Sequence, residues 1–544
     1  MTEPLAGRPS GARWAALGLV LVLVATAAIR GRLLDVPLER DEAEYAVTAS
    51  LLLDGFSPYE ASYDLKMPGL HVVYAGVIAA FGSEARGIHL GLLLAHLLSV
   101  VLIFLLVGRW IGPAAALSAA AFQGLLPLGR GVLGFTANAE HFLVVPALAG
   151  LVLLLRAEEK ASVRLLGGAA LLLGTSFVIK QPGILFVMAG AAWIVGAWAR
   201  RAPRDFGRLA RLLIVYGGCA AVPLVLLAAW IAAAGVLDHF LFWSFEYAIR
   251  YAGTIPLGTA AEILEVQAMR LFRDAPAVWI LAALGVAALA GGLEARRHRG
   301  FIAVFAGFSV LSVAAGGFFR EHYFVLMLPA VSLMAALGVE VLRRGATKRF
   351  GSAAGAAMAG LLVAVAVGSS AYSQRGYLFE MTPDEIVRAA YLANPFLESR
   401  EVGSWIREHS EPDDRILVLG SEPQIYLYAN RRSVSKHVVM YPLMLAPPEL
   451  GERLQRELID EIETGRPRYV VFAKLAPSWL AQPSSARRLF QWTEEYLPRH
   501  YDLVGLVELH YPQPSLIVWG ERARRLDSES DGRLLILERR DEAG

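Results

Sequence analysis

PGLHVVYAGVIAAFG, residues 68–82, is apolar enough to pass for a membrane crossing, and its reading decides on which side every later loop of the chain emerges. Fifteen helical residues reach only about 22 Å, short of a hydrocarbon core of about 30 Å. If this stretch crossed, five Lys/Arg-rich connections downstream would face outward, against the retention of positive short loops in the cytoplasm. We therefore read it as a helix lying in the membrane interface.

Around it the chain is apolar throughout. Of 544 residues 56% are hydrophobic and 18% charged, and the mean hydropathy is +0.48, so a bilayer is the expected solvent. Spans are expected at 13–30, 88–107, 112–128, 141–155, 165–179, 182–199, 212–234, 276–293, 301–317, 324–342 and 352–372. The basic connections hold Arg109; Arg156, Lys160 and Arg164; Arg200, Arg201, Arg204, Arg208 and Arg211; Arg296, Arg297 and Arg299; and Arg343, Arg344, Lys348 and Arg349, 16 cations in all. The alternating connections are longer in total and carry fewer. This gives about eleven spans with the N-terminus cytoplasmic, and it puts 31–87, 129–140, 180–181, 235–275, 318–323 and the C-terminal part outside. Trp14 to Ile29, behind Arg8 and Arg13, reads as a retained first helix, because many spans follow it. A net charge of +2 leaves no footprint for nucleic acid, and the single Cys219 permits neither an intramolecular disulfide nor a thiolate cluster.

The polar residues on the outer face carry the candidate chemistry. LERDEAEYAVTASLLLDG, residues 38–55, starts a helix at Asp41 and Glu42 and offers Gly55 as a left-handed cap. Asp41 reads either as the N-cap, with Glu42 complementing the helix dipole, or as a base facing a bound donor. YDLKMPGLH, residues 63–71, puts Lys66 just ahead of the interfacial helix, where a lysine either snorkels or meets a lipid phosphate. Glu140 and His141 stand at the mouth of a span in GRGVLGFTANAEHFLVV, residues 129–145. Lys180 follows in FVIKQPGILF, residues 177–186, between two spans, where a charge needs a partner: an anionic ligand, or Glu140 across the bundle. The later loops add Glu246, Tyr247, Arg250 and Tyr251, then Arg320, Glu321, His322 and Tyr323. Asp41, Glu140, Glu246 or His322 could ligate a divalent cation, but no HExxH or paired DxD spacing selects a metal set, so metal and cofactor stay unassigned.

Four stretches, RDEAEYA at 40–46, LKMPGLH at 65–71, ANAEHFLV at 137–144 and REHYFVLMLP at 320–329, together resemble the GT-C class of polyprenyl-phosphate-sugar glycosyltransferases. The resemblance is strongest to the protein O-mannosyltransferase and lipid A aminoarabinose transferase group and covers residues 13–372. Met67 and Gly69 stand where that pattern favours proline and leucine. The resemblance implies a polytopic α-helical fold, with Asp41 as catalytic base, Glu42 beside it and Glu140 orienting the reactants. It implies donor-phosphate contacts from Lys66, Lys180, Arg320 and His322. His141, Glu246, Tyr247 and Tyr323 become candidate acceptor or sugar contacts. The implied reaction moves a sugar, with inversion, from a polyprenyl-phosphate donor to a lipid, glycan or protein acceptor outside the inner membrane of a bacterium. A lipid-linked-sugar flippase and a non-catalytic lipid-binding protein are the alternatives. No inverted repeat or matching pair of broken spans favours a carrier.

Past residue 373 the composition changes. The expected organisation is a transmembrane domain at 1–372, a linker at 373–397 and a small extracytoplasmic α/β domain at 398–544. Strands are expected in RILVLG, SVSKHVV, RYVVFA, DLVGLVEL, SLIVWG and RLLILE, and helices at 399–408, 449–464 and 485–497. The glycine in LVLGSEPQIYLY lacks the spacing of a phosphate-binding loop, which argues against nucleotide binding.

Overall fold

The computed structural model describes residues 9–201, 203–291, 296–526, 530 and 532–540. Arg8, ahead of the first helix, and the side chains of Arg296 and Arg297, which entered the charge count, lie outside what is described. Each expected span contains a helix: Pro9–Arg32, Ala85–Gly108, Pro113–Leu125, Ala139–Glu159, Val163–Ile179, Ile184–Ala199, Phe206–Ala233, Pro276–Ala290, Arg296–Ala314, Leu328–Phe350 and Ser352–Ser373. Among the described residues seven helices are long and apolar enough to cross a membrane. An eighth is added if Leu257–Asp274 and Pro276–Ala290, which meet at a 106° bend, form one span. The protein is an integral membrane protein. Helix Gly69–Phe81 has 13 residues, about 20 Å, and buries only Leu70, His71 and Tyr74, in keeping with an interfacial position.

Glycines let several of these helices touch backbone to backbone. A Cβ on Gly285 would lie 1.9 Å from the Met334 carbonyl oxygen, and one on Gly338 would lie 2.1 Å from that of Leu281. The same holds for Gly174 against Ala220, at 2.1 Å. Helix association in lipid has no hydrophobic drive, so close packing of small residues takes its place. A buried arginine pins the loop at one helix end. Arg30, 1% exposed, donates to the carbonyls of Pro127 and Gly134 and to His96 Nδ1.

The C-terminal part forms a five-stranded mixed sheet of order β1-β2-β5-β3-β4. Its strands are β1 (Ile416–Leu419), β2 (Tyr469–Lys474), β3 (Tyr501–Glu508), β4 (Leu516–Trp519) and β5 (Arg533–Arg539). β1 and β2 run parallel and the other pairs antiparallel. Helices Glu398–Glu408, Pro448–Gly465 and Arg488–His500 occupy the expected places. The stretch SVSKHVV is not a strand. It makes one isolated bridge, from Ser433 to Ile416. The Ser433 and Ser435 hydroxyls accept the N–H groups of Ser435 and His437, a local alternative that draws the backbone away from the ladder. The stretch 373–397 is itself folded. It carries helix Pro383–Tyr391, and Tyr377, Leu378 and Phe396 pack on Leu33, Val36, Leu128 and Phe135.

The glycine contacts set a test. Gly338→Val should lower the unfolding temperature in detergent by the equivalent of several kcal/mol, because carbonyl oxygens cannot yield as side chains do. Gly217→Ala, with nothing within 4 Å of its Cβ position, should leave the unfolding temperature nearly unchanged. Equal melting of the two variants would contradict the packing described.

Candidate functional site

Helix Arg40–Leu53 begins with a capping box made by Glu39 and not by Asp41. The Glu39 carboxylate accepts the Glu42 N–H at 3.2 Å, and the Glu42 carboxylate accepts the Glu39 N–H at 3.2 Å. This corrects the reading of Asp41 as the cap and releases its side chain for other work. Glu42, fully buried, also accepts the Ala137 N–H at 2.6 Å and bonds His89 Nε2 at 2.9 Å. Adjacent helical residues point about 100° apart. Asp41 accordingly lines a cavity of about 810 Å³, whereas Glu42 is not among its walls and ties the helix to the bundle.

Lys66 reaches the same cavity from the loop ahead of the interfacial helix. Its backbone N–H donates to Asp64 Oδ1 at 2.9 Å, and Asp64 Oδ2 bonds His71 Nε2 at 2.9 Å, so the loop is held from both sides. The residue is 9% exposed, and its ammonium lies 5.3 Å from the centre of the Tyr45 ring and has no carboxylate within ion-pair distance among the described residues. It is enclosed and does not snorkel. Gly69 has a physical reason: a Cβ there would stand 2.3 Å from the Val178 carbonyl oxygen. The departure from the family pattern thus seats the Lys66 loop directly on the helix end that carries Lys180.

Lys180 and Glu140 form a buried ion pair, with Lys180 Nζ 4.4 Å from the Tyr323 ring centre. The second oxygen of Glu140 has no hydrogen-bond partner, and both residues line the cavity. Gln181 donates to the carbonyls of Leu65 and Ser244, at 2.8 and 3.1 Å, and joins three loops. Arg320, His322 and Tyr323 close the far wall, where Arg320 donates to the Tyr251 hydroxyl at 3.3 Å. Tyr247 also lines the cavity. His141 is buried but absent from the walls, and Glu246 is turned outward, where it pairs with Arg250 at 2.8 Å. Among the described residues no group of three or more His, Cys, Asp or Glu side chains is placed to hold a metal ion.

Charge in the cavity is set by mutual facing. Burial alone would raise the Asp41 carboxyl, but Lys66, His322, Arg320 and Lys180 outweigh it and hold the group down at about 2. Burial would lower the Lys66 ammonium; the carboxylates of Asp64, Asp41 and Glu44 raise it above its ordinary value instead. Glu44 is pushed well up by burial and by the neighbouring Asp64, Lys66 opposing. Both Glu44 and Asp64 line the cavity, and neither was singled out from the sequence, although each lies within three residues of one that was.

The C-terminal part contributes walls too: Val439, Tyr441, Pro442, Pro477 and Leu480. Arg40, next to Asp41, bonds Glu422 Oε1 at 2.6 Å and the Ser421 carbonyl, and lies 5.3 and 5.2 Å from the rings of Phe396 and Tyr441. Arg40 was visible in the motif; its partner, 382 residues away, was not.

Comparison with known proteins agrees with this geometry. Residues 66–232 match the family described as dolichyl-phosphate-mannose-protein mannosyltransferase. A search of curated proteins gives no match. The structure of ArnT from Cupriavidus metallidurans bound to undecaprenyl phosphate is similar, with a TM-score of 0.62 and 14% identity, over 96% of this chain and 98% of that one. The oligosaccharyltransferase of Archaeoglobus fulgidus in its apo form is similar with a TM-score of 0.55 and 14% identity, over 92% of this chain and 74% of that one. The same organism's AglB with an inhibitory peptide and a dolichol-phosphate gives 0.53 and 14%, over 94% and 75%. The chain thus shares the GT-C fold that its local motifs implied.

The buried pair yields a stability test. Glu140→Gln or Lys180→Met alone should destabilise by about 3–5 kcal/mol, since each leaves an uncompensated buried charge. The double variant should cost less than the sum. A double-mutant cycle from unfolding in detergent checks this, and strict additivity would contradict the pairing.

Proposed function

We propose that this protein is a glycosyltransferase that moves a sugar from a polyprenyl-phosphate donor to an acceptor at the extracytoplasmic face, with Asp41 as the base. The observation that carries the reading is the convergence of the Asp41 carboxylate and the cations Lys66, Lys180 and Arg320 on a single cavity. In this reading residues 1–372 form the catalytic membrane domain. Residues 398–544 form an extracytoplasmic domain that roofs it, joined through 373–397. In this reading the membrane is a bacterial inner membrane.

The acceptor's oxygen or nitrogen attacks the anomeric carbon as the bond from that carbon to the phosphate oxygen breaks. The acceptor's proton passes to Asp41, and the electron pair of the broken bond leaves on the phosphate, which stays attached to its prenyl chain. In-line attack inverts the anomeric centre. Lys66, Lys180 and Arg320 stabilise the charge that grows on the departing phosphate, which is where enclosed cations contribute most. The free Glu140 oxygen is placed to accept a hydrogen bond from a sugar or acceptor hydroxyl. Apolar side chains such as Ile184, Leu185 and Ile249 continue the cavity wall and suit a prenyl chain. The mannosyltransferase family match and the undecaprenyl phosphate held by the ArnT relative support a lipid-phosphate donor. The acceptor class follows from neither: lipid, glycan and protein all remain compatible with the walls.

The electrostatics give this base a specific behaviour. A carboxylate held at about 2 is a weak base, and the groups that hold it there are those a donor phosphate would neutralise. Donor binding therefore raises the Asp41 carboxyl and strengthens it as a base when the substrate is in place. The sign follows directly. The acid limb of kcat, which reports the complex, should lie at higher pH than that of kcat/KM, which reports the free enzyme. Superimposed limbs would count against it.

Asp41→Asn should reduce sugar transfer by roughly 10²–10⁴-fold, the usual contribution of a positioned base. Undecaprenyl phosphate should still be retained by the purified variant, and more tightly than by the parent, because the substitution removes the charge that opposes the phosphate. Full transfer by the variant would remove Asp41 as base, and absent transfer by the parent with every polyprenyl-phosphate sugar tried would remove the reading itself.

A further inference from the structure

A second cavity, of about 260 Å³, lies at the opposite end of the bundle from Asp41. It opens where helices Ala139–Glu159 and Ile184–Ala199 end and where Val163–Ile179 and Phe206–Ala233 begin. Its interior is apolar, with Leu166 deep inside and Trp193 and Trp198 as walls. Both indoles are fixed: Trp193 Nε1 donates to Glu158 at 3.1 Å, and Trp198 Nε1 donates to the Asp205 carbonyl at 2.8 Å. Glu158 is the one carboxylate among the lining residues, and that indole engages it.

Three guanidinium groups stand at the rim, those of Arg201, Arg208 and Arg211. All three residues are exposed, and among the described residues none has an ion-pair partner. Some cations on other basic connections are compensated, Arg109 by Glu159 and Arg343 and Arg344 by Glu340, while Lys348 and Arg349 have no ion-pair partner among the described residues but line no such cavity. Arg208 also lies in the first turn of its helix, where a positive charge opposes the helix dipole. The arginines thus add nothing evident to the fold, yet they ring an apolar hole at the membrane boundary. A soluble anion would leave the apolar interior unused, and a neutral lipid would leave the cations unused.

We propose that this cavity is a binding site for an anionic phospholipid, with the acyl chain between the tryptophans and the headgroup phosphate on Arg201, Arg208 and Arg211. Arginine matches phosphate oxygens with paired donors, and anionic headgroups gather at polybasic membrane boundaries. The site is separate from the Asp41 cavity and does not depend on the reaction proposed there.

The test uses the purified full-length protein, stripped of lipid and titrated with phosphatidylglycerol or phosphatidylcholine, with bound lipid counted by native mass spectrometry. Phosphatidylglycerol should be retained over phosphatidylcholine, and each Arg→Gln change among Arg201, Arg208 and Arg211 should weaken it roughly five-fold. Ala197→Trp keeps every charge but fills the cavity, and it should also abolish retention. A Lys348→Gln, Arg349→Gln variant removes cations from another connection and should bind as the parent does. The proposal would be overturned by undiminished retention in the triple arginine variant or in Ala197→Trp, by equal loss in the Lys348/Arg349 control, by displacement by inorganic phosphate alone, or by a preference for undecaprenyl phosphate over phosphatidylglycerol that the triple arginine variant loses.

Discussion

Charges leave water at the edge of a bilayer only if they face one another, and the cavity around Asp41 is arranged to meet that condition. Asp41 stays ionised because four groups from three distant parts of the chain surround it. Lys180 is tolerated because Glu140 is there, and Lys66 because three carboxylates are. None of these groups would hold its state alone, since burial works against each of them. The cavity is consequently a shared electrostatic object and not a collection of separate sites.

Such mutual dependence demands accurate placement, and glycine supplies much of it. The Lys66 loop can rest on the helix that ends at Lys180 only because residue 69 has no side chain to strike the Val178 carbonyl. Gly285 and Gly338 bring their two helices together at similar range. Arg40 performs the corresponding task toward the C-terminal sheet, gripping Glu422 and Ser421 so that Tyr441 and Pro442 become cavity walls. The C-terminal part is therefore structurally continuous with the site, through this arginine and through contacts such as the Tyr63 hydroxyl with Glu457.

The two ends of the bundle divide the labour of the basic residues. At one end cations are few and are enclosed with carboxylates. At the other they are many and exposed. Where an exposed set encircles an apolar hollow without ion-pair partners, charge and shape together describe an amphipathic anion.

Sequence alone determined the helices, because apolar run length and Lys/Arg bias are properties of the chain read in one dimension. It also grouped Asp41, Lys66, Glu140, Lys180, Arg320, His322, Tyr247 and Tyr323 on one face, and all of them line one cavity. What it could not determine was direction. Glu42 and His141 are sequence neighbours of cavity residues but point elsewhere, because a capping box and a helical turn of about 100° separate adjacent side chains. Glu246 carried a readable warning in Arg250 four residues on, an intrahelical partner that takes it outward. The strand expected at SVSKHVV failed because serine hydroxyls compete for backbone N–H groups, a choice that β propensity does not register. Only the tertiary structure could decide the contacts of Arg40 with Glu422 and of Gly69 with Val178, because such partners are fixed by how distant segments meet and leave no periodic trace in the chain.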